Sequence, residues 1–586
     1  MEAVSLDEAL ALLNAKSQRI SVQSFIHILQ KCRRRKSLLH VKQVWKHIKV
    51  HNLELDNVLG SYLVPTLVEC GSLKDADQLF GLLAYRNAYS WTALISGYVD
   101  HGDYQRAFHL YRDMRTNGIN PNTYTYQSLL RGCIKMKSIE SGRKVHCEIA
   151  EDGFECHPFV GCALVDMYAK FSIVGEAQEV FNELPGHDVV SWTALIGGYA
   201  EHGHTEQALK CLFQMQAEGI APNSMTFVCS LKGCTNLESM HEGLWLHSKI
   251  TEESLEGDIF IGNTLVDMYV KQSLFEDALE VFRMMPNRDV ITWTALIMGY
   301  GERGFGEEAL LSLNQMRKEG VPPNDVTYLC SVKACSGSGS VDTGFEVHDQ
   351  AFKEGFDQLT TIGNALVDMY AKCGSLLEAW DTFRRLHVRD IISWSALIAG
   401  YAHKGESKAA FHLFDAMKSE GIKPDSMVLL GVLNACNHSG LVLKGKDIFD
   451  TMEQVYGISP NVEHYNCMLD LIGRSGQLVD AMKWLEDMPF KPNFISWSTL
   501  LSACQKWSNV EFGKRAFDCA VKLDKSEISS YIIMSSIFLD AGMHEEAKKI
   551  DVMRANIPKL RIGEKVINMV QVVPDFSCIE KKDVFK

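Results

Sequence analysis

Trp91, Trp192, Trp293 and Trp394 stand 101 residues apart without slippage, and Trp497 follows 103 residues further on. Each is the second residue of a recurring hexapeptide: "SWTALI" at 90–95 and 191–196, "TWTALI" at 292–297, "SWSALI" at 393–398 and "SWSTLL" at 496–501. A chain that repeats itself on a fixed period must place equivalent side chains in equivalent surroundings. The period therefore points to a stacked array of small units. It overrules the several globular domains that 586 residues would otherwise suggest.

Each period divides into three. Residues 189–223 read "VVSWTALIGGYAEHGHTEQALKCLFQMQAEGIAPN". Trp192, Leu195, Ile196 and Tyr199 fall at i, i+3, i+4 and i+7, one apolar helix stripe. Gly203 breaks it, and Ala208, Cys211, Leu212 and Met215 repeat the spacing before Gly219 and Pro222. The unit is a helix hairpin of 35 residues; a second of 35 spans 224–258, and a shorter one of 31 spans 259–289. Neither stripe can be covered within one hairpin, so neighbours must stack. Long hairpins start at Val22, Thr123, Ser224, Asp325 and Ser426, and short ones at Asn57, Pro158, Ile259, Thr360 and Val462. Trp-bearing ones start at Ala88, Val189, Val290 and Ile391, which makes fourteen units over residues 22–493. The last triplet is stretched to 35, 36 and 32 residues, which accounts for the interval of 103. The expectation is an all-α fold, an α-solenoid of about thirty antiparallel helices in a right-handed superhelix, without sheet.

Composition narrows the function. Hydrophobic residues are 46% and charged residues 23%, as in ordinary folded chains, and no apolar run nears the roughly 20 residues of a membrane span. No membrane partner is therefore expected. A net charge of -14 argues against gripping nucleic acid by bulk charge, and leaves room for a local basic track. Seventeen cysteines include no C-x-x-C pair; Cys32, Cys133, Cys234, Cys335, Cys436 and Cys504 recur at one place in the unit, as small buried side chains do. His146, His247 and His348, one per period, read as repeat packing. The H-x-E and P-C-x-x-C signature of a zinc deaminase is absent, so no metal, cofactor or catalytic residue is expected. The first twenty residues show no Arg-rich leader and no secretory apolar core.

Hairpins of 35, 35 and 31 residues with endings of the form "GYxxxGxxxxAxxxxxxMxxxGIxPN" resemble plant pentatricopeptide repeat proteins of the PLS subfamily. A tetratricopeptide array neither alternates in length nor ends its units in Pro-Asn or Pro-Asp. Residues 494–553 resemble that subfamily's E-type extension, and "PDFSCIE" at 574–580 resembles its closing motif. The tail 554–586 departs from the pattern, holding "ANIPKLRIGEKVINMVQVV" before that motif and stopping at Lys586 without a DYW-type deaminase domain. Residues 1–21 form a separate N-terminal segment.

The resemblance implies one RNA base per hairpin, read by its fifth and last residues. A carboxylate only accepts hydrogen bonds, so Asp at the last place favours the ring N–H of U or G. An Asn amide also donates, and suits the bare ring nitrogen of A or C. The fifth residue lies about 100° around the helix from the Trp before it and can face a groove. The family's code then reads Thr92/Asn122, Thr193/Asn223, Thr294/Asn324 and Ser395/Asp425 as A, A, A and G. Ser61/Asn87, Cys162/Asp188, Asn263/Asp289, Asn364/Asp390 and Asn466/Asn493 read as A, an open letter, U, U and a pyrimidine. The remaining hairpins carry Ile26, Gln127, Val228, Leu329 and Leu430 at the fifth place; four are apolar, so these L-type units are expected to act as spacers.

Second-place residues Tyr89, Phe159, Val190, Phe260, Ile291 and Ile392 suit sandwiching a base, whereas Thr361 and Glu463 fit poorly. Lys170, Lys271, Lys372 and Arg474, at the thirteenth place of four short hairpins, form a candidate phosphate track, with a solvated helix end as the plainer reading. The function implied is an adaptor that binds single-stranded organellar RNA and selects a cytidine for C-to-U editing. It would recruit a deaminase-bearing partner, in the mitochondrion by family frequency, with the chloroplast as alternative. The other readings are a DYW-type deaminase lacking its last domain, and an RNA stability or splicing factor.

Overall fold

The computed structural model describes residues 22–50, 53, 56–235 and 240–555. These residues form thirty-two α-helices and one short 3-10 turn, and there is no strand among them. The all-α expectation is borne out. Residues 1–21, most of the tail and the "PDFSCIE" stretch lie outside the described residues.

First helices begin at Val22, Asn57, Ala88, Thr123, Pro158, Val189, Ser224, Ile259, Val290, Asp325, Thr360, Ile391, Ser426 and Val462. Two further pairs follow, Phe494–Lys506 with Val510–Leu523 and Ile528–Asp540 with His544–Ala555. The starts have a local cause. An Asn or Asp just before the helix turns its side-chain oxygen back onto an otherwise orphaned amide, as Asn87 does to Ser90 N at 2.9 Å. The stops are equally local: Gly203 and Gly219 both take φ +77°, left-handed turns in which a side chain would be strained.

The chain forms two compact units, residues 1–296 and 297–586. Within each, a first helix packs on its own second helix and on the first helix of the next hairpin. The recurring tryptophans sit at that joint. Trp91 and Trp192 meet Phe80 and Phe181 edge-on at ring-centroid distances of 4.6 Å, and Trp293 meets Phe282 at 4.8 Å. In the second unit Trp394 meets Phe383 at 4.6 Å. Each Phe comes from the second helix of the preceding hairpin, so the indole is the surface on which one hairpin seats the next. His146, His247 and His348 likewise recur as packing residues, with Nδ1 at 2.7, 2.7 and 2.9 Å from the hydroxyls of Tyr168, Tyr269 and Tyr370. The repeated cysteines are buried, and burial pushes the Cys133 and Cys234 thiols up to about 12.

First helices approach closely where both present small residues. A Cβ placed on Gly198 would lie 2.5 Å from Ala169 Cβ, and one on Gly400 would lie 2.5 Å from Ala371 Cβ and 3.1 Å from its Cα. Neither neighbour has a flexible end that could yield. Gly198→Ala is therefore expected to destabilise the first unit by about 1–3 kcal/mol, the cost of overpacking. Gly175→Ala, in a helix position where a Cβ meets nothing within 4 Å, is expected to stabilise by up to about 1 kcal/mol. Urea melts of the two variants should move in opposite directions.

Candidate nucleic-acid interface

The fifth residue of a hairpin and its last residue are far apart in sequence, and in several hairpins the joint between first helices brings them together. The last residue is also the N-cap of the following helix, and that fixes its orientation. Asn122 Oδ1 accepts from Thr125 N at 2.9 Å and from Thr125 Oγ1 at 3.0 Å, and Thr125 Oγ1 lies 2.7 Å from Thr92 Oγ1. The same relay joins Asn223, Thr226 and Thr193, at 3.0 and 2.8 Å. Because the oxygen is held against the helix, the amide nitrogen of Asn122 or Asn223 points away from it, without a protein partner among the described residues. Asn324 is turned in the same way by Thr327, whose N and Oγ1 both lie 2.9 Å from its Oδ1. Thr294 Oγ1 donates to Val290 O at 2.6 Å.

Carboxylate pairs are arranged differently. Asn263 Nδ2 donates to Asp289 Oδ1 at 3.1 Å, and Asn364 Nδ2 reaches both oxygens of Asp390 at 3.0 and 2.9 Å. The two Asn side chains are only 7% and 6% exposed, so their amides act mainly by orienting the acid. Burial alone would raise the Asp289 pKa, but hydrogen bonds from the Thr292 backbone and hydroxyl and from Asn263 outweigh it and hold this carboxyl below its usual value. Cys162 imitates the pattern weakly, its Sγ 3.8 Å from Asp188 Oδ1, while Ser191 N donates to the same oxygen at 2.8 Å. Asn466 and Asn493 share Ser496 Oγ, at 2.7 and 2.9 Å. Asp425 caps through Val428 N at 2.9 Å, with no hydroxyl at that place to form a relay. Ser61 is turned back on its own helix, donating to Val58 O at 2.7 Å, and Asn87 caps the next.

Second-place residues stand out from this joint. Phe159 and Phe260 are each 63% exposed, and Tyr89, Val190, Ile291 and Ile392 are also exposed. Concave spaces lie between them. In the first unit a cavity of about 570 Å³ is lined by Phe159, Cys162, Asp188, Val190, Thr193 and Asn223. In the second, one of about 740 Å³ is lined by Lys372, Ile392, Ser395, Asp425 and Met427. Each therefore brings apolar flanks, a polar pair and a cation to one surface. Thr361 and Glu463 are exposed at the same place without the apolar character. The hairpins starting at Thr123, Ser224, Asp325 and Ser426 behave as the others do here: Tyr124, Met225, Val326 and Met427 are exposed at the second place. Sequence reasoning passed over them because it read these hairpins as spacers.

The thirteenth-place cations are all paired. Lys170 lies 2.5 Å from Glu201, Lys271 2.7 Å from Asp267, Lys372 2.8 Å from Asp368 and Arg474 2.9 Å from Asp470. These pairs are exposed and individually weak, about 0–1 kcal/mol, but each leaves its cation locally neutralised. No cluster of three or more His, Cys, Asp or Glu able to hold a metal ion occurs among the described residues. No helix among them is long and apolar enough to cross a membrane.

The PPR repeat family matches residues 86–135, 187–236, 288–337 and 389–438, and the PPR repeat matches 124–154, 263–290, 364–391 and 463–491. The chain is 32% identical to the chloroplastic pentatricopeptide repeat-containing protein At5g13270 of Arabidopsis thaliana, over 93% of this chain and 73% of that protein. It is 32% identical to the mitochondrial At2g03380 of the same plant, over 84% and 72%. The pentatricopeptide repeat protein PPR10 of maize, crystallised with an 18-nt psaJ RNA element, shares the fold: TM-score 0.57 over 95% of this chain and 88% of that one, at 17% identity. With its repeats matched by the family and its relatives alike over most of its length, the chain belongs to the pentatricopeptide repeat family.

Proposed function

We propose that this chain is a sequence-specific single-stranded RNA-binding adaptor that selects a cytidine for organellar C-to-U editing. The observation that carries the reading is the oriented last residue. A cap that holds Asn by its oxygen presents an N–H to the groove, and one that holds Asp by one oxygen leaves the other as an acceptor. That difference is the one needed to tell a bare ring nitrogen from a ring N–H. The exposed second-place side chains on either side supply stacking surfaces, which bind any base face. The family's bound example, PPR10 with its psaJ element, supports an RNA ligand.

Read from the N-terminus with RNA running 5′ to 3′, the pairs give 5′-nAAnnAnUAnUGnY-3′, one letter for each of the fourteen hairpins of residues 22–493. The edited C lies a few nucleotides further 3′. In this reading the array is of the PLS type, residues 494–553 are its E-type extension, and that extension recruits a deaminase in trans, the chain itself supplying no catalytic group. Relatives named chloroplastic and mitochondrial support an organelle; we assign the mitochondrion. Two measurements test this. The purified chain should bind the 14-nucleotide RNA in preference to a shuffled one of equal composition. Organellar transcriptomes from plants lacking the protein should lose editing at a C just 3′ of a matching sequence. Equal affinity for both RNAs defeats the base reading, and unchanged editing with altered transcript levels defeats the editing role.

A further inference from the structure

The L-type hairpins carry something that the others lack. Their ninth residues include Arg131, Lys232 and Lys333, on the same 101-residue period as the tryptophans. At Arg131 and Asn434 the ninth place faces the groove. Arg131 lines the 570 Å³ cavity together with Lys170, and Asn434, at the same place, lines one of about 640 Å³ with Asn466 and Arg474. Cys229 lines the first of these cavities and lies three residues before Lys232, on the same helix face. Around the Cys229 thiol are Lys232, Glu201, Lys170 and Asp166; around Cys330 are Lys333 and Glu302.

Several cations of this surface are already paired. Arg131 is tied to Asp100 at 3.1 Å and to Ser96 Oγ at 3.0 Å, and every thirteenth-place cation has its own carboxylate. Lys232 and Lys333 are exposed and have no ion pair among the described residues. A chain of net charge -14, with carboxylates interleaved along the groove, repels a polyanion unless some positive charge is left uncompensated. The same two hairpins have apolar fifth residues: Val228 is buried and Leu329 half-buried, so neither offers a base a hydrogen bond.

We infer that Lys232 and Lys333 hold RNA phosphates, so that the hairpins starting at Ser224 and Asp325 are sequence-independent clamps set between base readers, not passive spacers. The inference rests on the RNA-binding reading above. It assigns the charge contact to hairpins that cannot read, and leaves base reading to the hairpins between them.

The test is the salt dependence of binding by the full chain, using the 14-nucleotide RNA and its shuffled counterpart. For single strands each phosphate contact contributes about 0.7 to the slope of log K against log salt, so Lys232→Gln and Lys333→Gln should each flatten the slope by about that amount. The flattening should be equal on both RNAs, base preference should not move, and Lys232→Arg should restore the slope. Lys210→Gln, on a second helix and paired with Glu206, should leave it unchanged. Lys372→Gln should flatten it less than either free lysine does. Wild-type slopes in Lys232→Gln and Lys333→Gln overturn the inference, and so does a change of base preference. If instead the wild type fails to prefer the cognate RNA, the base reading fails while the lysine slopes remain measurable on either strand.

Discussion

Asp425→Asn is expected to move the preference at the twelfth letter of the RNA from G to A. Asp425 is held by Val428 N through one oxygen, and in the proposed reading the other is the acceptor for a ring N–H. An amide at the same place offers a donor instead. Asn and Asp are about equally good N-caps, so the helix Ser426–Ser439 should start as before, and stability should change by only a few tenths of a kcal/mol. A mismatched base costs about 1–3 kcal/mol, which is roughly 5- to 150-fold in affinity. Binding to RNAs carrying each base at that letter should therefore show G falling and A rising by factors in that range. The other thirteen letters should be indifferent. A uniform loss over all four bases would make Asp425 a structural residue and put the register in error. Leu430→Ala, in the next hairpin, should change base preference far less.

The largest effect on stability is expected from Trp394→Ala. The ring is 2% exposed and sits edge-on to Phe383, so truncation empties the joint between two hairpins at a cost of about 3–5 kcal/mol. Trp394→Phe should cost much less. It keeps an aromatic surface against Phe383 and removes an indole N–H that is buried without a hydrogen-bond partner. In a stacked array the damage falls on the neighbouring hairpins first. Hydrogen exchange should therefore rise in residues 360–425 while distant hairpins keep their protection. Ser395 follows the Trp directly, so reading at the twelfth letter should be lost together with local protection. Exchange that rises evenly along the chain would mean that the joint does not act locally.

How much of this was visible in the sequence follows from what each feature depends on. Most helix starts depend on local chemistry repeated at a fixed interval, an Asn or Asp before an apolar stripe, whereas Pro158 and Thr360 start their helices after His157 and Leu359 without a side-chain cap. The pairing of Lys271, Lys372 and Arg474 with an acid four residues earlier was also legible, because i and i+4 share a helix face. Lys170 with Glu201 was not, since it joins two hairpins. Nor was the relay from Thr92 through Thr125 to Asn122, which requires knowing how closely first helices approach. The depth of Asn263 and Asn364 has the same origin: a fifth residue that faces a groove on an isolated helix is largely covered once the next helix is stacked on it.

The capping role of the last residue carries a consequence for building new arrays from these parts. The residue proposed to distinguish bases is covalently the end of one hairpin and mechanically the beginning of the next, since Asn122 is anchored by Thr125 and Asp289 by Thr292. Modules cut at the hairpin boundary would thus transplant a reader while leaving behind the amides that aim it. A transferable module has to run from the middle of one first helix to the middle of the following one. The same anchoring limits the alphabet available at that place to side chains that also start a helix, chiefly Asn, Asp, Ser and Thr. Where the last residue caps, the range of RNA letters such a protein could acquire by single substitutions is bounded by what the backbone needs there; His157 and Leu359, at the same place without a side-chain cap, escape that bound.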